Sequence, residues 1–120
     1  MGRLGDLKRK EDLIRWCLER QTTGFQGRIN KITDVCYSYW IGGSLSILGA
    51  AHLIEENQLR GHSCACQQPT GGISKWPNYY PDVLHTYLGM CGLSIIGEKE
   101  LLPIEASLGI TKRAFANLKR

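Results

Sequence analysis

An internal repeat limits the fold of this chain more than any other feature of its sequence. Residues 22–49 recur as residues 70–97 with an offset of 48 and no gap, and ten of the 28 aligned positions are identical. A period in the high forties accommodates one helical hairpin, which cannot bury its apolar face without stacked neighbours. The sequence therefore predicts hairpin repeats at about residues 22–68 and 70–115.

The first copy predicts a helix behind its loop. Asp34 is typical of an N-cap, and apolar residues at spacings of three and four follow it. A partner helix is expected at residues 51–59, followed by an irregular stretch at residues 60–68. Another helix is expected at residues 9–21, whereas the polar residues 1–8 should fray. The stripe behind the N-cap consists of Tyr37, Trp40, Ile41, Ser44, Leu45 and Leu48.

The second copy predicts an equivalent helix, with Asp82 as its N-cap. Gly89 and Gly92 on its inner stripe would let another backbone or a ligand approach closely. No segment alternates as a strand does, so we expect an all-α fold. The inner stripe consists of His85, Leu88, Gly89, Gly92, Leu93 and Ile96.

Length and composition narrow the class of protein. The chain has 120 residues, and two repeats are fewer than the roughly three that such arrays need, so we expect a piece of a longer chain. A scattered net charge of +4 does not indicate nucleic acid binding. No apolar run reaches the ~20 residues that span a bilayer. Five cysteines without a signal peptide favour the reducing cytoplasm.

The two copies differ where chemistry is expected. Asp34 and Cys36 stand two residues apart at a helix start, and His85 occupies in the second copy the place of Tyr37. Carboxylate, thiolate and imidazole are zinc ligands, and three of them leave a fourth position open, as in catalytic sites. The alternative is that Asp34 is only an N-cap and Cys36 only a small buried hydrophobe.

Cations gather near the same helix starts. Arg28 and Lys31 precede the first helix, and Lys75 precedes the second. Cations at loops that lead into helix N-termini suit an anion lying beside a metal. Alternatively, they are solvated surface charges.

Two further groups have simpler interpretations. Cys64 and Cys66, with His62 nearby, form a rival set of ligand types, but residues two apart on a helix point to different sides, so zinc is not expected there. The aromatic residues of the first stripe fill a core or line an apolar ligand tunnel. These aromatic residues are Tyr37, Tyr39 and Trp40.

Two segments resemble the C-terminal third of a protein prenyltransferase β subunit, most closely that of a type I protein geranylgeranyltransferase. They read GFQGRINKITDVCYSYW and GGISKWPNYYPDVLHTYLGMCGLSIIG. The resemblance covers about Leu13 to Leu118 and implies an α/α barrel (α/α toroid) around an apolar tunnel, with this chain forming an arc of it. It also implies a catalytic zinc held by Asp34, Cys36 and His85.

The resemblance assigns further roles to residues of this chain. It implies that Arg28, Lys31 and Tyr37 bind the diphosphate of the isoprenoid donor. Trp40 corresponds to a tunnel-wall aromatic that lines the isoprenoid, and Leu84 to a contact with the acceptor peptide. Ile29 replaces the Pro or Cys that the family usually has after the arginine, a change that we consider harmless.

Lys75 discriminates among the sister enzymes. In chains resembling farnesyltransferase or Rab geranylgeranyltransferase an Asp stands at this position, and in the farnesyl enzyme it supports magnesium. A fixed cation can neutralise the leaving diphosphate itself, so Lys75, together with Trp76-Pro77, implies the type I geranylgeranyl enzyme without a magnesium requirement. The two sister enzymes are the alternatives, and a non-catalytic helical fragment that only binds partner chains is a third.

The resemblance implies partners as well. They are a prenyltransferase α subunit in a heterodimer, geranylgeranyl diphosphate, and CaaX-terminated proteins such as small GTPases. Upstream residues of the family's active site do not occur in this sequence. We therefore expect these 120 residues to be inactive and poorly folded when made alone.

Overall fold

Two helices from equivalent positions of the repeat lie side by side at the centre of the fold. The structure is a computed structural model that describes residues 3–118. In these residues the helices and strands are α1 (Lys10–Leu18), α2 (Tyr37–Ile47), α3 (Glu56–Ala65), α4 (Val83–Ile95), β1 (Ile104–Glu105), β2 (Ile110–Thr111) and α5 (Lys112–Leu118). Short 3-10 helices cover Leu4–Asp6 and Ala51–Leu53.

Small residues allow α2 and α4 to approach closely. A Cβ at Gly92 would overlap the Ser38 side chain and lie 2.9 Å from the Ser38 backbone carbon. A Cβ at Gly89 would lie 2.9 Å from Cγ1 of Val35. The Ser38 hydroxyl is buried and donates to the carbonyl of Val35 at 2.6 Å. The expectation that these glycines admit a second backbone is therefore confirmed.

The main apolar core is formed where α2 and the end of α4 pack towards α1 and α3. Leu45 from α2 and Leu59 from α3 are fully buried in it, and Cys17 enters it from α1. The result is two layers of helices in a body of 43 × 40 × 21 Å. The cluster consists of Cys17, Phe25, Ile41, Leu45, Ala50, Ile54, Leu59 and Ile96.

The two copies share their unusual backbone positions. Asn30 and Asn78, which align in the repeat, have φ angles of 61° and 62° in the loops before α2 and α4. Gly49 and Gly97 follow the ends of these helices with φ angles of 78° and 76°. Asn and Gly are the residues that adopt the left-handed region most readily, so the local sequence specifies both the loops and the helix ends.

The predicted outer helix is wrong in its bounds. Instead of a helix at residues 51–59, a 3-10 helix ends at Leu53 and α3 begins at Glu56 and continues to Ala65, through the stretch expected to be irregular. Between them the Glu55 backbone pairs with the Gln21 side chain through two hydrogen bonds of 3.0 Å. This long-range contact holds Glu55 outside a helical conformation, and residue periodicity cannot reveal it.

The prediction that Asp34 is the N-cap of the inner helix is also wrong, although its side chain does act at the helix start. The helix begins at Tyr37 with Cys36 as its N-cap. The Asp34 carboxylate accepts a hydrogen bond from the Cys36 backbone at 2.9 Å. Asp82 is the N-cap of α4 as predicted, and its side chain accepts from the His85 backbone.

A small β-hairpin near the C-terminus departs from the expectation of helices alone, although the helical fold class stands. Strands β1 and β2 pair antiparallel. The hydroxyls of Tyr39 and Tyr87 donate to the hairpin carbonyls of Ala106, at 3.0 Å, and Gly109. Gly109 has a φ of 67°, and a Cβ there would lie within 2.8 Å of both hydroxyls, so only glycine fits.

The segment expected to fray lies partly outside the described residues. Met1 and Gly2 are not described, whereas Leu4–Asp6 forms a 3-10 helix closed by an Arg3–Asp6 ion pair of 2.7 Å. Its side chains are exposed. Within residues 3–118 no helix has the length and apolar character needed to cross a membrane.

Candidate metal centre

The start of the first inner helix positions two of the predicted ligands. Because Asp34 binds the Cys36 backbone, its carboxylate turns back over the helix start and not out to solvent. Asp34 is buried and Cys36 is half-buried. The residues between and after them form a turn, with the Tyr37 amide donating to the Asp34 carbonyl at 3.0 Å. Cys36 therefore stands just outside the regular helix.

The start of the second inner helix positions the third ligand. Asp82 accepts from the His85 backbone amide at 2.9 Å, and its other carboxylate oxygen lies 2.6 Å from Nδ1 of the same histidine. The backbone hydrogen bond is the main reason that the pKa of Asp82 lies below its usual value. A carboxylate on one ring nitrogen fixes the orientation of the ring. Nε2 of His85 is thereby directed towards Asp34.

The structure brings Asp34, Cys36 and His85 together although 50 residues lie between the first and the last. Their ligand atoms all lie within 4.8 Å of one another, and among residues 3–118 no other group of three or more such residues does so. Oδ1 of Asp34 lies 3.3 Å from Nε2 of His85. Parallel packing of α2 and α4 places both helix starts at the same end of the molecule, which makes this convergence possible.

The three donors fit a zinc ion by their chemistry. If His85 donates from Nδ1 to Asp82, its Nε2 lone pair faces the Asp34 carboxylate, an arrangement that a cation stabilises. Burial, together with the Asp34 carboxylate, raises the pKa of the Cys36 thiol to about 12. A bound metal reverses this effect, because coordination deprotonates a thiol. One sulfur, one nitrogen and one oxygen suit zinc better than calcium or magnesium.

Lys75 lies at the edge of this cluster. Its ammonium is 3.6 Å from Oδ2 of Asp34 and 4.5 Å from the ring centroid of Trp76. The Lys75 carbonyl accepts from the Val35 amide at 3.3 Å, which ties the second loop to the start of the first inner helix. The sequence predicted a cation near the site, but its direct contact with a candidate ligand comes only from the structure.

Arg28 and Lys31 lie on the exposed loop before α2. An isolated bridge between Gln26 and Thr33 closes this loop. Within residues 3–118 neither cation forms an ion pair. Tyr37 is half-buried and packs against the main core. Tyr37 is the first residue of α2, directly after Cys36. The part of Arg28, Lys31 and Tyr37 in anion binding stays a prediction.

The residues assigned to the isoprenoid and peptide pocket are exposed. Trp40 retains 52% of its accessible surface and Leu84 retains 57%, although both are large and apolar. Trp40 is on α2, which follows Cys36, and Leu84 is on α4 beside His85. Val83, beside Leu84, is 88% exposed. The inner helices thus expose large apolar side chains, whose part in binding an isoprenoid or a peptide stays a prediction.

Cys64 and Cys66, the thiols of the rival ligand set, lie in different surroundings. Cys64 is exposed, whereas Cys66 is fully buried in a small cluster with Val35 and Ile73. Burial raises the pKa of the Cys66 thiol to about 11. The two thiols therefore do not face a common space, in agreement with their spacing on a helix.

Two features of the site were missed by reasoning from the sequence. Asp82 was predicted only as an N-cap, yet it also binds the ring of His85. Trp76 lies under the Lys75 ammonium. The signal for Asp82 was present, since a carboxylate three residues before a histidine at a helix start is within reach of its ring. The signal for Trp76 was weaker, because neighbouring residues in a loop need not touch.

Comparison with known proteins defines the class of this chain. Residues 1–110 match the family described as the prenyltransferase alpha-alpha toroid domain. The chain belongs to this family, which confirms the predicted fold class.

Two relatives indicate which kind of prenyltransferase subunit the chain resembles. The geranylgeranyl transferase type-1 subunit beta of Arabidopsis thaliana is 43% identical over 100 residues, which cover 82% of this chain and 27% of that protein. The subunit of the same name from Dictyostelium discoideum is 38% identical over 116 residues, covering 95% of this chain and 33% of that protein. The predicted resemblance to type I β subunits is thus confirmed.

A solved structure agrees with these matches. Candida albicans protein geranylgeranyltransferase-I complexed with GGPP is similar with a TM-score of 0.83 and 29% sequence identity. The similarity covers 89% of this chain and 36% of that one. The chain therefore spans between about a quarter and just over a third of the length of these three proteins.

Proposed function

We propose that this chain is part of the β subunit of a type I protein geranylgeranyltransferase, acting in the cytoplasm in a heterodimer with an α subunit. The reaction moves a geranylgeranyl group from its diphosphate to the cysteine of a C-terminal CaaX motif. The observation that carries the proposal is the convergence of Asp34, Cys36 and His85 with Lys75 beside them. The type-1 β subunits among its relatives support the choice of substrate class.

On the acceptor side, Asp34, Cys36 and His85 hold zinc. When bound, zinc supplies Lewis acidity that keeps the acceptor cysteine as a thiolate, the nucleophilic form of the thiol. Asp82 fixes the His85 ring for this task through its 2.6 Å contact with Nδ1. The exposed Leu84 side chain, one residue before the histidine, contacts aliphatic residues of the acceptor peptide.

On the donor side, the residues stabilise the charge of the leaving group. The bond between the first carbon of the isoprenoid and the diphosphate oxygen breaks, and the diphosphate leaves with the electron pair while the acceptor sulfur bonds to that carbon. Arg28, Lys31 and Tyr37 bind the diphosphate, and Lys75 supplies a fixed cation in place of magnesium. Trp40, on the same helix as Tyr37, lines the isoprenoid.

Two other functions stay open to test. Farnesyltransferase and Rab geranylgeranyltransferase β subunits would use the same zinc ligands, but Lys75 favours the type I enzyme because the sister enzymes have an Asp at its position. A non-catalytic helical fragment that binds partner chains would need neither the ligand cluster nor the cations around it.

The test uses the full-length β chain that contains this sequence, purified with its α subunit. We expect about one zinc per heterodimer and transfer of geranylgeranyl to a CaaX peptide ending in leucine, without added magnesium. Transfer of farnesyl alone would favour the farnesyl enzyme, and transfer only to Rab proteins the Rab enzyme. Zinc-free protein without transfer would overturn the proposal. Residues 1–120 made alone serve as a control that should show no turnover.

A further inference from the structure

The Lys75 side chain needs something to hold it in place. Its ammonium ends a flexible chain of four carbons and is 38% exposed, so an ion pair of 3.6 Å with Asp34 restrains it only weakly. If a cation is to replace a metal ion at a diphosphate, it must already lie where charge develops. The second contact of the ammonium, with the face of Trp76 at 4.5 Å, is therefore important.

The Trp76 indole is itself fixed. Tyr79 packs against it edge to face, with ring centroids 5.3 Å apart and an interplanar angle of 74°. The Trp76 carbonyl accepts from the hydroxyl of the fully buried Ser74 at 2.6 Å and from the Tyr79 amide at 3.2 Å. The Ser74 hydroxyl also lies 2.9 Å from the carbonyl of Cys66, which anchors the loop to the end of α3.

Trp76 contributes the π face of its indole to the contact with Lys75. Nε1 of Trp76 is buried and finds no hydrogen-bond partner among residues 3–118. A buried N–H without a partner is unfavourable, so hydrogen bonding within residues 3–118 does not explain a tryptophan at this position. A rigid π surface beneath a cation does, because tryptophan has the most favourable ring for that contact.

We propose that Trp76 is a positioning residue that holds the Lys75 ammonium beside Asp34, at the place where the diphosphate leaves. This inference rests on the proposed function and extends it to a residue with no contact to the reacting atoms. Without the indole, the Lys75 side chain gains rotational freedom and spends less time at the site. The effect of Trp76 on the reaction must then pass through Lys75.

A double-mutant cycle in the full-length heterodimer tests this dependence. The variants are Lys75→Ala, Trp76→Leu and the pair together, with Tyr80→Leu as the control, since Tyr80 is an 88% exposed aromatic residue of the same loop. We expect Trp76→Leu to lower kcat by roughly 5- to 30-fold, the range of a partly desolvated cation–π contact. In the Lys75→Ala background the same change should cost less than about twofold.

Magnesium gives a readout that a merely structural role would not change. We expect millimolar magnesium to restore part of the lost rate in Trp76→Leu and in Lys75→Ala, and to leave the parent and Tyr80→Leu unaffected. Equal losses from Trp76→Leu with and without Lys75, or no response to magnesium, would overturn the inference. If Trp76→Leu does not fold, Trp76→Phe retains a π face and is carried through the same cycle, with a smaller expected loss.

Binding of inorganic pyrophosphate separates this inference from the proposed function. Calorimetry on the same heterodimers should show weaker binding for Trp76→Leu only when Lys75 is present. A parent without prenyl transfer that still gives this pattern contradicts the proposed function alone. A parent with transfer whose pyrophosphate affinity ignores Trp76 contradicts the positioning role alone.

Discussion

The two copies of the repeat place an aspartate at the same position and use it differently. Asp82 caps α4, which begins at the next residue, and binds both the backbone and the ring of His85. Asp34 precedes a helix that begins two residues later than its counterpart, so it binds the Cys36 amide and its carboxylate faces the site. The later start of α2 therefore leaves Asp34 as a candidate metal ligand, whereas the aligned Asp82 is a helix cap.

The two copies of the repeat make the same kind of contact with the C-terminal hairpin. Tyr39 and Tyr87 align in the repeat, and both hydroxyls donate to carbonyls of the C-terminal hairpin. The scaffold therefore repeats its anchoring contacts, while the first residues of the inner helices diverge in chemistry. Four pairs of substitutions test which positions the two copies share and at which they differ.

The largest effect is expected at the ligands. In the full-length heterodimer, Cys36→Ala should lower zinc affinity by about 10³-fold, because it removes one of three protein ligands. Leu84→Ala, at the equivalent position of the second copy, should leave zinc content unchanged. Zinc content after dialysis against a chelator measures both. Equal zinc loss from the two variants would show that the copies do not differ in this role.

The next effect concerns the contact between the inner helices. Gly92→Ala should destabilise the protein by about 3 kcal/mol, because the new methyl group overlaps Ser38 at the α2 and α4 interface. Ser44→Ala, the equivalent change in the first copy, should stay within about 0.5 kcal/mol, since it removes only a local bond to the Trp40 carbonyl. Thermal melting compares them. A stable Gly92→Ala variant would contradict the close packing.

Asp82 gives a smaller effect that separates its two tasks. Asp82→Asn retains a side-chain acceptor for the His85 amide but removes the negative charge beside the His85 ring. Zinc affinity should therefore fall about tenfold, with little change in melting temperature. Asp82→Ala should add a loss of about 1 kcal/mol in stability. Zinc titration and melting of the two variants check this. If the Asp82→Asn variant binds zinc as tightly as the parent, the contact of Asp82 with the His85 ring has no role in zinc binding.

The smallest effect tests what the copies share. Tyr39→Phe and Tyr87→Phe should each cost about 1 kcal/mol, since each leaves a hairpin carbonyl without its donor. Both should increase tryptic cleavage after Lys112, just behind β2. Similar cleavage rates for the two variants are expected. A large effect from one and none from the other would show that only one copy anchors the hairpin.

Much of this arrangement could be predicted from the sequence. The offset of 48 predicts that Cys36 and His85 open neighbouring inner helices, and the structure places their ligand atoms with that of Asp34 within 4.8 Å. The glycines that admit close packing could be identified in the same way. The bounds of α3 could not, because a contact between Gln21 and Glu55 over 34 residues decides where that helix begins.

The repeat, the helical class, the ligand types and the loop and helix-end residues with a positive φ follow from the sequence. These properties are local, since they depend on residue types at fixed spacings. Only the folding of the whole chain brings Lys75 to Asp34 and both tyrosines to one hairpin. Side-chain directions at helix starts depend on where each helix begins and on the neighbour packed beside it, and only the folded chain specifies these.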